Sequence, residues 1–316
     1  MASLDRHSMT EYLSRSIASI NQNKLNGLLA EVSFRRHVSG LGFAGRVSPG
    51  GWIARRVGPG DFGHDTVVLF PECICPGTDY SPERALPTPD AGLHTICATF
   101  HQSGISAFYC SAVVEHENDT KSVKWRAKQL GLPEDRPYQD FPGCLVGRFP
   151  FRARHYNFLR YNTAATSIPP DAIPEEFSKE HLRISFQTRL MCQISDVDGI
   201  FWGEQFTYPV EIKEKTASFN THLGAFFGLD VGPFVKLAFY AAKRGNLHSL
   251  FVVREIDSPE TRNLVGWWLI TYENLAKFAS WVQQGGGRNM QGGQSSVVCI
   301  PKSEFLEITR ATLSTL

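Results

Sequence analysis

The sequence predicts a mixed α/β protein, an α+β arrangement in which a central β-sheet is flanked by helices. Three observations predict it. An opening stretch repeats apolar residues at helical spacing. The part after Arg183 mixes short apolar strand candidates with amphipathic helix candidates. The composition is that of an ordinary folded domain, with 42% hydrophobic and 20% charged residues in a chain of 316. That length buries a large core and suits one elaborated domain or two.

From about Met9 to Leu41, Leu25, Leu28, Leu29, Val32, Phe34 and Val38 recur at helical spacing among good helix formers, and Gly40 and Gly42 then stop the helix. The Gly-rich segment 42–63 reads as loop and short strand. Between His64 and Arg183, TVVLF, ISAFYCSAVV and CLVGRF are strand candidates, and GLHTICATFHQSG and SVKWRAKQLG are helical runs. Proline-rich joints, CPGTDYSPERALPTPD and SIPPDAIPEEF, interrupt them. Beyond Arg183, strands are predicted at MCQISDVDGIFW, TYPVEIKEK, SLFVVREI, VGWWLITY and SSVVCIP, with helices over Gly232–Lys243 and Glu273–Val282. Three segments follow: 1–60, an N-terminal helix packing on the core; 61–182, an inserted region; and 183–316, the core itself. GGGRNMQGG reads as a loop between the last helix and strand.

Several function classes are excluded. No apolar run approaches the roughly 20 residues of a membrane span. The N-terminus has no apolar signal-peptide core, so a cytoplasmic location is expected. Seven cysteines, at 73, 75, 97, 110, 144, 192 and 299, form no CxxC pair, and their odd number argues against a disulfide framework. Cys73 and Cys75 with His64 could be zinc ligands, yet the alternation in FPECIC fits a half-buried strand as well. His94, His101 and His116 are as dispersed as His64, and no nucleophile elbow, P-loop or dinucleotide fingerprint is present. The net charge of +1 provides no global basic field, although a basic cleft can coexist with it.

Chemistry concentrates in SDVDGIFWGEQFTYPVEIKEKT. Residues two apart on a strand share a face, so Glu211 and Lys213 project together while Val210 and Ile212 face the other way. Asp198 ends the preceding strand candidate, about a dozen residues earlier, and would face them. Two carboxylates, the Ile212 carbonyl, waters and a phosphate oxygen would suit the hard, octahedral Mg²⁺ ion. Lys213 would orient or deprotonate the attacking water and stabilise negative charge in phosphodiester hydrolysis.

An Asp, a strand turn, then Glu-x-Lys in a hydrophobic strand, as in DGIFWGEQFTYPVEIK, resembles the signature of the PD-(D/E)XK, or restriction-endonuclease-like, nuclease superfamily. Val197 stands where the literal signature has Pro. The resemblance implies a restriction-endonuclease-like core with a large inserted region, and Mg²⁺ as cofactor with Mn²⁺ able to substitute. It implies Asp198, Glu211 and Lys213 as catalytic residues and DNA as substrate, in an endonuclease of restriction or defence type. The helix LNGLLAEVSFRRHV resembles the N-terminal helix of such nucleases and offers Glu31 as a further metal ligand, which requires that 61–182 be an insertion. In GPFVKLAFYAAKRG, Lys236 and Tyr240 share a helix face where related nucleases carry a Gln-x-x-x-Tyr pair. Together with Lys215 they are candidate phosphate contacts.

Competing readings stand beside these. Glu211, Lys213, Glu214 and Lys215 also fit the solvated polar end of an edge strand. Asp196 competes with Asp198 as the ligand, and either could instead form a turn. Lys236 and Tyr240 also fit a packed or solvated helix face. FPFRARHYNFLRYN and Arg288 are candidate nucleic-acid contacts, and cutting both strands would call for a homodimer. A non-catalytic nucleic-acid-binding module and an RNA or structure-specific nuclease are the alternatives in function.

Overall fold

The computed structural model describes residues 1–16, 22–56, 66–152, 165, 166, 168–242, 246–279, 282–285 and 295–316. His64, Arg288 and most of FPFRARHYNFLRYN lie outside the described residues. The chain forms two compact units, Met1–Leu29 with Gly50–Asp196, and Ala30–Pro49 with Val197–Leu316. Compactness therefore groups the chain differently from the segments 1–60, 61–182 and 183–316: residues 30–49 go with the C-terminal part, and 1–29 with the middle of the chain.

The first unit takes α1 (Arg6–Ser16), the start of α2 (Gln22–Val38) and β1 (Val47–Arg56) from Gly50 on. Next come β2 (Val67–Pro71), α3 (Ala91–Gln102), β3 (Ser106–Val114), β4 (Val123–Leu130), β5 (Gln139–Phe141) and α4 (Ile173–Gln187). The unit ends in the first half of β6 (Cys192–Trp202). Its strands lie in the order β1-β2-β3-β4-β5, antiparallel except for the β2–β3 pair that α3 connects. Asp90 caps α3 by accepting the Leu93 N–H at 2.8 Å, and Leu93, Ile96, Cys97 and Phe100 give the helix its buried stripe.

Two predicted elements are corrected here. SVKWRAKQLG is the strand β4, not a helix: Val123, Trp125 and Ala127 are buried while Lys124 and Arg126 are exposed, the period of a strand. Its Lys, Arg, Ala and Gln favour a helix, but continuous pairing with β3 overrides that preference. CLVGRF is not a strand; Gly143–Leu145 form a 3₁₀ turn and Val146 bridges Phe149. The joint SIPPDAIPEEF also starts α4, because Pro174 sits in the first turn, where a missing N–H costs nothing. On α4, His181 is buried: its Nδ1 accepts the Trp125 indole N–H at 2.9 Å and its Nε2 lies 3.1 Å from the Thr120 carbonyl. Cys73 and Cys75 are exposed on either side of the buried Ile74, beyond the end of β2.

The second unit holds α2 from Ala30, the start of β1, and β6 from Val197. It continues with β7 (Thr207–Lys215), β8 (Ser218–Asn220), β9 (Gly224–Asp230), α5 (Val231–Ala241), β10 (Leu250–Ile256) and β11 (Leu264–Thr271). The chain then runs through α6 (Tyr272–Ala276), β12 (Val282–Gly285), β13 (Ser295–Pro301), β14 (Leu306–Glu307) and α7 (Arg310–Ser314). One sheet runs β14-β11-β10-β7-β6, in which only β7 and β10 are parallel, with α5 between them in sequence. A second, antiparallel sheet runs β12-β13-β9-β8.

The five strands predicted after Arg183 are present in these positions. The helix predicted over Glu273–Val282 ends at Ala276, and β9 was not legible. Glycine weakens the strand signal of GAFFGLD, yet Gly228 is required: a Cβ there would lie 2.6 Å from the Val297 side chain of β13.

One face of β7 and β10, carrying Val210, Ile212, Leu250 and Val252, packs against Ala30, Phe34 and Val38 of α2. On the opposite face, Phe251 and Val253 meet Leu237 of α5 and Phe227 and Leu229 of β9. Strand alternation puts Glu211 and Lys213 on this α5 side. Both units thus mix helices with mainly antiparallel sheet, the mixed α/β class the sequence predicts. Among the described residues, no helix is long and apolar enough to cross a membrane.

Candidate active site

The pairing of β6 with β7 runs from Trp202 opposite Thr207 to Gly199 opposite Val210. One step further, Asp198 and Glu211 are the next residues on the two strands, just past the last paired position. Both are buried, at 4% and 2% exposure. A carboxylate so placed needs partners, since an isolated buried charge is strongly disfavoured. Asp198 accepts the backbone N–H of Ile212 at 2.8 Å. Glu211 holds two ammonium groups, Lys213 Nζ on Oε1 at 2.7 Å and Lys236 Nζ on Oε2.

Lys213 is two residues from Glu211 on the same strand, so the first ion pair follows from the period of a strand. Lys236 arrives from α5, with only 15% of its side chain exposed. Burial lowers the affinity of Lys213 for its proton, but the Glu211 and Asp198 carboxylates outweigh burial and hold its pKa above the ordinary lysine value. With those carboxylates beside it, Lys213 stands as an ammonium group in the metal-free protein.

Further along the EIKEK run, Glu214 is partnered too. Glu214 pairs with Arg254 at 2.6 Å, its register partner on β10, and with Arg262 at 2.9 Å. Lys215 is half-buried, and burial depresses its pKa; Asp230 opposes that shift and Lys213 adds to it. Along the polar end of β7, Glu211, Lys213 and Glu214 are thus held in ion pairs, and β10 pairs with the strand as far as Lys215.

Of the two aspartates, Asp196 is exposed and belongs to the first compact unit, whereas Asp198 is buried in the same unit as Glu211. Glu31 is half-buried on α2, the helix whose Ala30 and Phe34 pack on the opposite face of β7. Among the described residues, no three His, Cys, Asp or Glu side chains gather as a group that could hold a metal ion. Tyr240 is buried on α5, its ring edge-on to Phe239 at 5.8 Å.

Asp198 and Glu211 offer hard carboxylate oxygens from adjacent strands, the donor type a divalent cation such as Mg²⁺ takes. The residue whose role the sequence did not give is Lys236, read there as a phosphate contact and found on Glu211 instead. Its place one turn before Tyr240 on an otherwise apolar helix was the available signal. Comparison with protein-family models, characterised proteins and solved structures gives no match for the chain.

Proposed function

We propose that the chain is a Mg²⁺-dependent nuclease of the PD-(D/E)XK type, an endodeoxyribonuclease of restriction or defence kind, with Asp198, Glu211 and Lys213 as its catalytic residues. The observation that carries this reading is the pairing of two buried carboxylates on adjacent strands with a charged lysine two residues along. Along the chain the Asp strand β6 and the Glu-x-Lys strand β7 are followed by β8 and β9, then by the helix α5 and the strand β10 that lies parallel to β7. Asp198 and Glu211 would hold Mg²⁺, with Mn²⁺ able to replace it. Such an ion supplies a water of lowered pKa and neutralises charge on the phosphoryl oxygens.

The chain's own groups do the rest. Lys213, still 35% exposed at its side chain, keeps N–H donors for a phosphate oxygen or the attacking water. The Ile212 amide fixes one Asp198 oxygen and hence the orientation of that carboxylate. Lys215 and Lys236 add positive charge around the same strand end. DNA as the substrate, a homodimer for double-strand cutting and a cytoplasmic location belong to this proposal.

Incubation of supercoiled plasmid with the wild type, Glu211→Gln and Lys213→Ala in the presence and absence of Mg²⁺ tests it. Nicking or linearisation by the wild type alone, dependent on Mg²⁺, is the expected result. Wild-type protein that leaves DNA, RNA and branched substrates intact at every metal concentration would overturn it.

One observation favours a second reading. The charges of Glu211 and Lys213 already balance within a lysine–carboxylate network, so the same fold could serve as a non-catalytic nucleic-acid-binding module. DNA retention without cleavage would select it, and cleavage of RNA or branched substrates alone would select an RNA or structure-specific nuclease.

A further inference from the structure

Glu211 has more positive charge around it than one carboxylate needs. Lys213 already meets Oε1 at 2.7 Å, and Lys236, from a different element, takes Oε2. With Asp198 included, two carboxylates face two ammonium groups and the local charge is balanced. A divalent cation entering beside Asp198 and Glu211 would leave an excess of two positive charges where three of the four side chains are at most 15% exposed. Such an excess is strongly disfavoured at low dielectric, so positive charge must be shed as the ion arrives, by departure of an ammonium group or by its loss of a proton to water.

Lys213 is held to Glu211 by the strand they share. Lys236 has a flexible four-carbon stem at the middle of α5, and its own side chain is 15% exposed. Its head therefore has solvent to move into.

We propose that Lys236 is a resident cation at the metal position: its ammonium occupies Glu211 Oε2 in the metal-free protein, and a divalent cation binds by displacing it. The inference rests on the reading of Asp198 and Glu211 as metal ligands. Its consequence is regulatory. Lys236 raises the metal concentration at which the site fills, and it keeps Glu211 compensated when no metal is bound.

The test is Mn²⁺ binding to the full chain at pH 8, by calorimetry, for wild type, Lys236→Met and Lys236→Gln, with Glu211→Gln as the ligand control. Removal of the competing ammonium is expected to tighten binding by about tenfold or more, the effect one neighbouring charge has on proton affinity. Glu211→Gln is expected to lose binding. Equal or weaker Mn²⁺ affinity in a folded Lys236 variant overturns the inference while leaving the nuclease reading intact, provided that wild type binds and Glu211→Gln does not. Absence of Mn²⁺ binding in wild type and both Lys236 variants overturns both.

A measurement on wild type alone covers the case in which neither variant folds. Acetylation of Lys236, followed by mass spectrometry, should rise severalfold when Mn²⁺ is added, because the displaced amine becomes accessible. Unchanged reactivity in protein that binds Mn²⁺ refutes displacement.

Discussion

Substituting Asp198 and Asp196 separately by Asn decides which aspartate serves the proposed site, and the structure sets different magnitudes for the two. Asp198 is 4% exposed and its Oδ2 accepts the Ile212 N–H at 2.8 Å. Asparagine can keep that bond through its amide oxygen. A hydrogen bond to a charged group contributes about 1.5–3 kcal/mol and one between neutral groups about 0.5–1.5, so that bond alone accounts for on the order of 1 kcal/mol. Loss of the Asp198 charge, which also holds the Lys213 ammonium, adds to this, so Asp198→Asn should cost about 3–5 kcal/mol.

Function should respond too. Loss of residues that only orient a metal ligand typically costs 10–100-fold, and loss of a ligand charge should exceed that, so plasmid cleavage should fall by more than about a hundredfold. Asp196 is exposed, and a surface change of this kind stays within about 0.5 kcal/mol. Asp196→Asn should cleave at the wild-type rate. The assay is the initial rate of plasmid nicking at saturating Mg²⁺, with urea unfolding of each variant as the stability control. An inactive Asp196→Asn beside an active Asp198→Asn would reverse the ligand assignment, and wild-type rates in both would remove Asp198 from the site.

Three further predictions concern the frame around the site. His181 is buried as a neutral imidazole because desolvation lowers its pKa to about 4 from an ordinary 6.5, a drop that its bond to the Thr120 carbonyl only partly opposes. With the folded-state pKa depressed, its stability contribution is present above about pH 6.5 and is lost as pH falls toward 4. Linkage gives a loss of about 2 kcal/mol between pH 7.5 and 5; urea unfolding of wild type and His181→Gln at the two pH values checks it, and parallel slopes would contradict it. Gly131 has φ +76° and a Cβ there would lie 2.3 Å from the Cys97 carbonyl oxygen, so Gly131→Ala should destabilise by about 2 kcal/mol or more, read as a lowered Tm. Trp268 donates to Glu255 at 2.7 Å beneath the Lys302 ammonium, which lies 4.6 Å from its ring centre, so Trp268→Phe should cost about 1–3 kcal/mol in urea unfolding.

The sequence made the site strand legible for a simple reason. In the VEIK stretch of β7, apolar Val210 and Ile212 alternate with charged Glu211 and Lys213, and a period of two leaves one backbone conformation and one assignment of faces. The same alternation in VKWRAKQL was overlooked, because its residues individually favour a helix and the charges on both sides of Trp125 resemble a solvated helical stripe. Pairing to β3 decides that segment, and pairing is a property of residues distant in sequence. The split of α2 between two cores is hidden for the same reason: the helix gives Leu25 and Leu28 to one core and Phe34 and Val38 to another, while its apolar residues keep a helical spacing throughout.

Glu31 and Lys236 show how the two helices beside β7 divide the possible roles. Both were singled out because a helix presents a charged residue near the Glu-x-Lys strand, but the strand has two faces and only one carries Glu211. The residues of α2 next to Glu31 pack against Val210 and Ile212, on the opposite face from Glu211, whereas Leu237, next to Lys236, packs against Phe251 and Val253. Strand parity therefore gives Lys236 the direct route to Glu211. It also gives Glu31 a poor one, and a Glu31→Gln variant that binds Mn²⁺ as wild type does is the expected consequence. If that variant lost Mn²⁺ while remaining folded, the face assignment of Glu211 would be the step at fault.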